Sequence, residues 1–370
     1  MKILVTGGAG FIGSFIVDEL IRRGHDVTLF DNLEQQIHPK GEPPDYLNRH
    51  ARLVVGDVRD YDALKRLVLE AEVVIHKAAA VGVGQSQYEI KRYVDVNVSG
   101  TANLLDILVN HKHRLQKLII AASMSSYGEG LYHCGGCGSV RPNLRTDTVM
   151  EDGLWEPRCP TCLTPVVPLP TPEDAYQYPN SIYAQTKKDQ EDMCLNIGRT
   201  YDIPTVSLRY FNAFGPRQSL SNPYNGVLAI FISRLINNNR PTIFEDGLQT
   251  RDFVSIHDIV AANLLAMERD EANYEVFNVG SGKPVTIKGV AELAAAVLGK
   301  DMGPDITGKF RKGDVRHCFA DMSKIKMKLG FTPKVSFEEG VHEVVEWSHS
   351  VHAEDHFDRA AKELKERGLV

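Results

Sequence analysis

The chain has 370 residues, of which 43% are hydrophobic and 24% charged, with a formal net charge of -6 and an isoelectric point near 6.1. Such a balance describes a globular α/β unit, or two domains sharing a cleft, and its lack of a basic excess argues against nucleic acid as a partner. No apolar run spans a bilayer and MKILVTGGAG holds no signal core, so the expectation is a cytoplasmic protein without a membrane partner.

KILVTG followed by GAGFIGSFIVDELIRRG predicts strand, turn and helix. Gly7, Gly10 and Gly13 are spaced for a tight turn and for close approach of a pyrophosphate to backbone amides, with Phe11 and Ile12 opening the helix between them. DVTLF ends at Asp31, next to Asn32, about twenty residues beyond the glycines. A carboxylate there accepts ribose hydroxyls and repels a 2′-phosphate, which favours NAD over NADP. The plainer alternative is a glycine turn of any parallel α/β protein with an Asp opening a loop.

ARLVVGDV, AEVVIHKAAA and LQKLIIAAS continue the rhythm, with helical YDALKRLVLEA and VSGTANLLDILVNH between strands. The alternation predicts a doubly wound, Rossmann-type parallel sheet with its ligand at the carboxyl ends of the strands. Asp57, Val58, Ala78, Ala79, Ala80, Asn97 and Ser123 fall at or just beyond such ends and are candidate cofactor contacts.

Between Tyr127 and Tyr183 the segment 130–172, which the family resemblance given below marks as an insertion, carries Cys134-x-x-Cys137 and Cys159-x-x-Cys162. Two such knuckles about twenty residues apart match a four-cysteine zinc ribbon, closed to water and therefore structural. Unligated thiols or two redox pairs on a lid are the alternative. Cys194 and Cys318 stand apart and read as buried apolar residues.

SIYAQTKK then places Tyr183 and Lys187 on one helix face. A phenol near pKa 10 is a weak base, and a neighbouring ammonium favours its ionised form. A surface helix would carry the same pair without consequence. Farther on, GVLAIFISRLINN reads as an amphipathic helix, YEVFNVG as a strand near the cofactor domain, and TIKGVAELAAAVLGK as a helix capped by Thr286. The closing HFDRAAKELKERGLV reads as a charged terminal helix, and His342, His349, His352 and His356 as solvated residues of the tail. The expected division is a cofactor domain over 1–212 and a smaller α/β substrate lobe over 213–370, with part of 250–285 packing back on the first.

Taken in order, TGGAGFIG, GDVRD, HKAAA, VNVSGT, SMSSYG, YAQTK, RYFNAFGPRQ, RDFVSIHDI, FNVGSG and GDVRHCFADMSK resemble the extended short-chain dehydrogenase/reductases, in the branch of nucleotide-sugar epimerases and dehydratases, over nearly the whole chain. The resemblance implies that Ser123, Tyr183 and Lys187 are the catalytic set, with Ser125 in reserve and NAD as cofactor. It implies that Phe211 shapes the nicotinamide region and that Asn212, Val227, Arg217, Arg251, Arg311 and Arg316 meet a nucleotide-diphosphate sugar, while Cys318 leaves room beside the sugar. A homodimer through the Tyr183 helix is implied as well.

Dehydratases of this branch carry Asp-Glu after the catalytic Ser or Thr, whereas Met124 and Ser125 stand here, so 4-epimerisation is the expected reaction. AAAVGVGQSQYEI, GPRQSLSNPYNGVLAIF and FEDGLQTRDFVS look closest to dTDP-L-rhamnose 4-epimerases. The rivals are a UDP-sugar 4-epimerase acting on glucose, galactose, an N-acetylhexosamine or a uronate, a nucleotide-sugar reductase, and a non-catalytic NAD-binding sensor or scaffold.

Overall fold

Short runs of valine, isoleucine and leucine with no polar face form strands that are covered on both sides. In the structure, a computed structural model describing residues 1–370, these runs become one seven-stranded parallel sheet. Its strands are β1 (Lys2–Thr6), β2 (Asp26–Asp31), β3 (Arg52–Val55), β4 (Val73–His76), β5 (Lys117–Ser123), β6 (Thr205–Tyr210) and β7 (Val276–Val279). They stand in the order β7-β6-β5-β4-β1-β2-β3, so the order reverses at β1 and opens a crevice at the carboxyl ends. Ile3 of β1 faces Val27 of β2 on one side and Val73 of β4 on the other. Every residue of β6 is buried, which removes the alternation that marks a strand in sequence.

Helices cover both faces. Ile16, Val17 and Leu20 of the helix Phe11–Arg22 join Ile256, Ile259 and Leu264 of the helix Ile256–Glu268 on one face. Leu64, Leu104, Leu108 and Cys194 cover the other. A separate core gathers Leu228, Phe231 and Ile232 of Val227–Ile236 with Val290 and Ala294 of Ile287–Val297 and Val341 and Val344 of Phe337–Ser348. Thr286 caps the second of these helices by accepting from Gly289 N, a bond whose loss costs about 1 kcal/mol. The chain passes between the cores repeatedly: β7 and the helix Ser323–Leu329 return to the first after segments that belong to the second.

The cysteine insertion forms a three-stranded antiparallel sheet, with Leu131–Cys134 between Gly138–Val140 and Val167–Leu169. Its own core is only Tyr132, Cys134, Cys159 and Val166, too little apolar surface to hold a fold unaided. No helix is long and apolar enough to cross a membrane.

Candidate active site

The turn after β1 is set by what its glycines exclude. Gly7 has φ +67°, and a Cβ there would lie 2.7 Å from Ala78 N, while one on Gly13 would lie 2.1 Å from the Gly7 carbonyl. Gly10 has only the Gly7 carbonyl near it, at 3.5 Å, and precedes the helix without a side-chain cap. The first-turn amides therefore lack protein acceptors and face the crevice, as a pyrophosphate site needs. Asp31 ends β2 with its Oδ2 accepting from Ala9 N and its Oδ1 from Leu33 N, each at 2.9 Å. Arg59 at 2.8 Å, then Asn32 at 2.9 Å, hold the Asp57 carboxyl down at about 2.

These residues enclose a cleft of about 460 Å³. Gly7, Gly10, Phe11, Ile12, Gly13, Asp31, Asn32, Asp57, Val58, Ala78, Ala79 and Ala80 line it, together with Ser123, Tyr183, Lys187 and Phe211. The donor set fits NAD: amides for the pyrophosphate and a carboxylate where a 2′-phosphate would be repelled. Asn97 departs from expectation. It is fully buried behind the wall, its Oδ1 accepting from Ala80 N at 2.8 Å and its Nδ2 donating to Ala80 O and Thr186 Oγ1, so it shapes the loop after β4.

Ser123 closes β5 and caps the short turn Met124–Tyr127, its Oγ accepting from Ser125 N at 3.2 Å and from the Ser125 hydroxyl at 2.9 Å. Tyr183 sits in the first turn of the helix Ile182–Thr200, which Ser181 caps through Ala184 N. Burial raises the Tyr183 pKa, opposed by the Ser123 hydroxyl. Lys187, pushed down to about 8 by burial, donates to Gln190 Oε1 at 2.7 Å. Desolvation is the largest influence on the Tyr183 phenol, and Lys187 Nζ is turned to Gln190. Gln190 continues to Thr101 at 2.7 Å, Thr101 to His76 at 3.1 Å, and His76 to Thr6 at 2.8 Å, one buried chain from the lysine to the end of β1.

Lys77, which sequence reasoning passed over inside HKAAA, also lines the cleft. Its Nζ donates to the Tyr210 hydroxyl, and burial pushes it well below the ordinary lysine value. Gln36 was likewise missed: Nε2 donates to Gln85 Oε1 at 3.1 Å and to Asn222 Oδ1 at 3.2 Å, and Oε1 accepts from Arg92 Nη1 at 3.1 Å, joining the rim on both sides of the cleft. Tyr224, another lining residue, donates to Glu363 of the terminal helix at 2.5 Å and accepts from the Tyr88 hydroxyl at 2.8 Å. Such partners lie far apart in sequence and leave no local signal. The tail helix Phe357–Glu366 is therefore seated on the rim.

Of the candidate substrate contacts, Ser125, Asn212, Arg217 and Val227 line the cleft. Asn212 Oδ1 is buried without a partner, an acceptor left for a ligand. Arg217 lies at the cofactor end, bonded to Asp18 at 2.7 Å with its guanidinium 4.2 Å from the Phe15 ring centroid. Arg251, Arg311, Arg316 and Cys318 do not line the cleft. Arg316 is fully buried and donates to Glu156 at 2.5 Å, Glu245 at 2.9 Å and Asp246 at 2.7 Å, because a buried guanidinium is tolerated only when paired. Arg251 and Arg311 share the carboxylate of Asp314, at 3.2 and 2.8 Å. Cys318 packs behind Phe211 and Tyr127 instead of beside a ligand.

The sulfurs of Cys134, Cys137, Cys159 and Cys162 all lie within 4.8 Å of one another, and Cys134 and Cys162 approach to 3.4 Å. A tetrahedral zinc with bonds of about 2.3 Å needs sulfurs about 3.8 Å apart. The range from 3.4 Å to at most 4.8 Å brackets that spacing, and four thiolates on one ion would leave no position open for water.

Two family models match the chain: the NAD dependent epimerase/dehydratase family over residues 3–139 and GDP-mannose 4,6 dehydratase over 166–344. A dTDP-L-rhamnose 4-epimerase of Burkholderia thailandensis is 37% identical over 94% of this chain and 94% of its own. A putative UDP-glucose 4-epimerase of Methanocaldococcus jannaschii is 33% identical over 93% of this chain and 97% of its own. The structure of UDP-glucose 4-epimerase with UDP-glucose from Thermotoga maritima superposes with a TM-score of 0.78 at 33% identity, covering 95% of this chain and 99% of that one. For UDP-glucuronic acid 4-epimerase of Bacillus cereus, in complex with UDP-glucuronic acid and NAD, the values are 0.77, 27%, 95% and 100%.

Proposed function

The chain belongs to the NAD-dependent epimerase/dehydratase family of extended short-chain dehydrogenases, and from that premise we propose that it is an NAD-dependent nucleotide-sugar 4-epimerase. The observation that carries the reading is Ser123, Tyr183 and Lys187 converging on one cleft whose next two residues, Met124 and Ser125, supply no carboxyl group. Beyond the proton transfer at the C4 hydroxyl that both reactions share, dehydration needs a further acid and base to eliminate water; epimerisation does not.

When bound, NAD would supply the acceptor and then the donor of hydride at C4, and a positive charge on it would favour the ionised form of Tyr183. Tyr183 takes the proton of the C4 hydroxyl and later returns it. The Ser123 hydroxyl bonds the same oxygen, and Lys187 holds the ribose. Asn212 supplies the free acceptor toward the sugar nucleotide, while Met124 and Phe211 give the sugar an apolar wall against which to turn.

dTDP-L-rhamnose, giving dTDP-6-deoxy-L-talose, is the substrate we favour, supported by the Burkholderia relative. The second reading is a UDP-sugar, supported by the Methanocaldococcus and Thermotoga proteins. Product NMR of the purified protein with dTDP-L-rhamnose, UDP-glucose, UDP-N-acetylglucosamine and UDP-glucuronate, without added cofactor, decides. Inversion of one substrate at C4 is expected, and inversion of none with NAD bound overturns the reaction in favour of another reaction type or the sensor reading.

The four cysteines are read as a structural zinc site, expected to show about one zinc per chain on elemental analysis. A homodimer through the Tyr183 helix is proposed separately and tested by light scattering. The free face of that helix is polar, with Gln185, Asp192, Asn196 and Arg199 exposed.

A further inference from the structure

Residues 140–165, with Cys159 and Cys162, fall between the two stretches that the family models match. They nevertheless touch the catalytic segments directly. Arg141, which follows the strand Gly138–Val140 closing the first cysteine knuckle, donates through Nη2 to the carbonyl of Tyr127 and, at 3.5 Å, to that of Glu129. Its guanidinium lies 5.5 Å from the ring centroid of Tyr176 and 5.9 Å from that of Tyr178.

The Tyr127 carbonyl ends the turn that Ser123 begins, and Tyr176 and Tyr178 lead into Ser181, the cap of the helix carrying Tyr183. One side chain therefore contacts both segments that place the reacting hydroxyls. These segments are already in close contact at Gly128, where φ is +66° and a Cβ would lie 2.5 Å from Tyr178 O. The insertion grips a third segment as well. Arg145 donates to Asp314 O at 3.0 Å, Asp147 pairs with Lys312 at 3.0 Å, and Glu156 pairs with Arg316; Gly313 O in turn accepts from Asn180, next to the helix cap.

Resting on the epimerase and zinc readings above, we infer that the cysteine-stapled insertion is a positioning element for catalysis, with Arg141 fixing the serine turn against the approach to the tyrosine helix. Zinc holds the strand pair from which Arg141 projects, and Arg141 holds the distance between Ser123 and Tyr183. The metal takes no part in the chemistry.

The test uses the full chain as Arg141→Leu, Arg141→Lys, Cys162→Ser and the Arg141→Leu/Cys162→Ser double variant. Zinc and NAD per chain, kcat and KM are read with whichever of the four sugar nucleotides turns over. Hydrogen exchange is read over 123–128 and 176–181. The Arg141→Leu protein is expected to keep zinc and NAD, to lose about tenfold in kcat with KM changed less than about twofold, and to exchange about tenfold faster in both segments while β6 stays protected. Arg141→Lys is expected to restore most of the loss. Cys162→Ser is expected to lose zinc and show the same defect, and the double variant to be no worse than either alone, since the two changes break one connection.

Unchanged kcat in Arg141→Leu, or in a zinc-free Cys162→Ser protein, overturns the inference. A wild-type protein without zinc refutes the metal reading alone, and Arg141→Leu still decides the brace. A wild-type protein that inverts no sugar refutes the epimerase reading alone, and exchange then decides: unchanged protection in both segments overturns the brace.

Discussion

The wall that faces the dinucleotide and the region that flanks the sugar end are built on opposite plans. On the wall, most functional groups sit at the ends of strands: the glycine turn after β1, Asp31 after β2, Ala78 after β4, Ser123 at the end of β5, with Tyr183 and Lys187 added from the helix Ile182–Thr200. Strand ends are fixed by the sheet, so backbone position alone delivers the group. At the sugar end the placement is made by side chains meeting across long sequence distances, as Arg316 does with Glu156 and Glu245, and Arg141 does with the Tyr127 carbonyl. A backbone plan tolerates side-chain exchange but not added volume; a side-chain plan fails when one partner is removed.

Acid should separate the two most strongly. His76, buried at the end of β4 and held neutral at about 3 by desolvation, then by Lys187 and Lys77, resists a proton that the unfolded chain takes up near 6.5. Below pH 6.5 the unfolded state binds the extra proton, so stability falls as pH drops, by a total of about 5 kcal/mol once pH 3 is reached. The ion pairs of Asp314, whose carboxyl lies at about 2 against an ordinary 3.8, keep their contribution above 3.8 and lose it as pH falls through 2. Urea melts at pH 7, 5 and 4 are expected to show stability already falling over a range where Asp314 still contributes in full, with a shallower acid slope in His76→Asn. Equal slopes break the comparison.

Next in size is Tyr183→Phe, expected to lower turnover about 10³-fold, roughly 4 kcal/mol in the barrier, with bound NAD and melting unchanged. Retained turnover in that variant removes the phenol from the mechanism. Arg316→Leu leaves Glu245, Glu156 and Asp246 without their shared cation and should cost about 3 kcal/mol of stability by denaturant titration. Loss of substrate affinity at unchanged stability would instead return Arg316 to the ligand. The smallest effect is expected for Gln36→Ala, which opens the bridge from Gln85 to Asn222 and should weaken NAD retention by about 1 kcal/mol, read as NAD per chain after gel filtration.

The same contrast explains what was legible in the sequence. Gly7, Gly13 and Asp31 were readable because a parallel sheet forces the positions of strand ends, and the pattern of apolar runs gives the strands. The four cysteines were readable as a group because ligand spacing is local, and their sulfurs do cluster. β6 was not picked out, since six consecutive buried residues carry no period. Arg251, Arg311 and Arg316 fall outside the cleft lining for a different reason. A guanidinium in a sequence does not say which carboxylate will reach it, and Glu156, Glu245 and Asp314 come from three separate segments. Asn97 falls at the expected place in the chain and lies behind the lining, its bonds to Ala80 making it a support for the wall.

The repeated passage of the chain between its two cores has a mechanical consequence. After Phe214 the backbone enters the second core, and it returns through the helix Ile256–Glu268 and β7, leaves again by the strand Pro284–Thr286, and comes back once more at Ser323–Leu329 before the helix Phe337–Ser348. Two halves stitched by that many passages of the chain are not joined by a single hinge. A single proteolytic nick near Lys312 would leave both fragments anchored in both halves, and the cut protein should elute as one body.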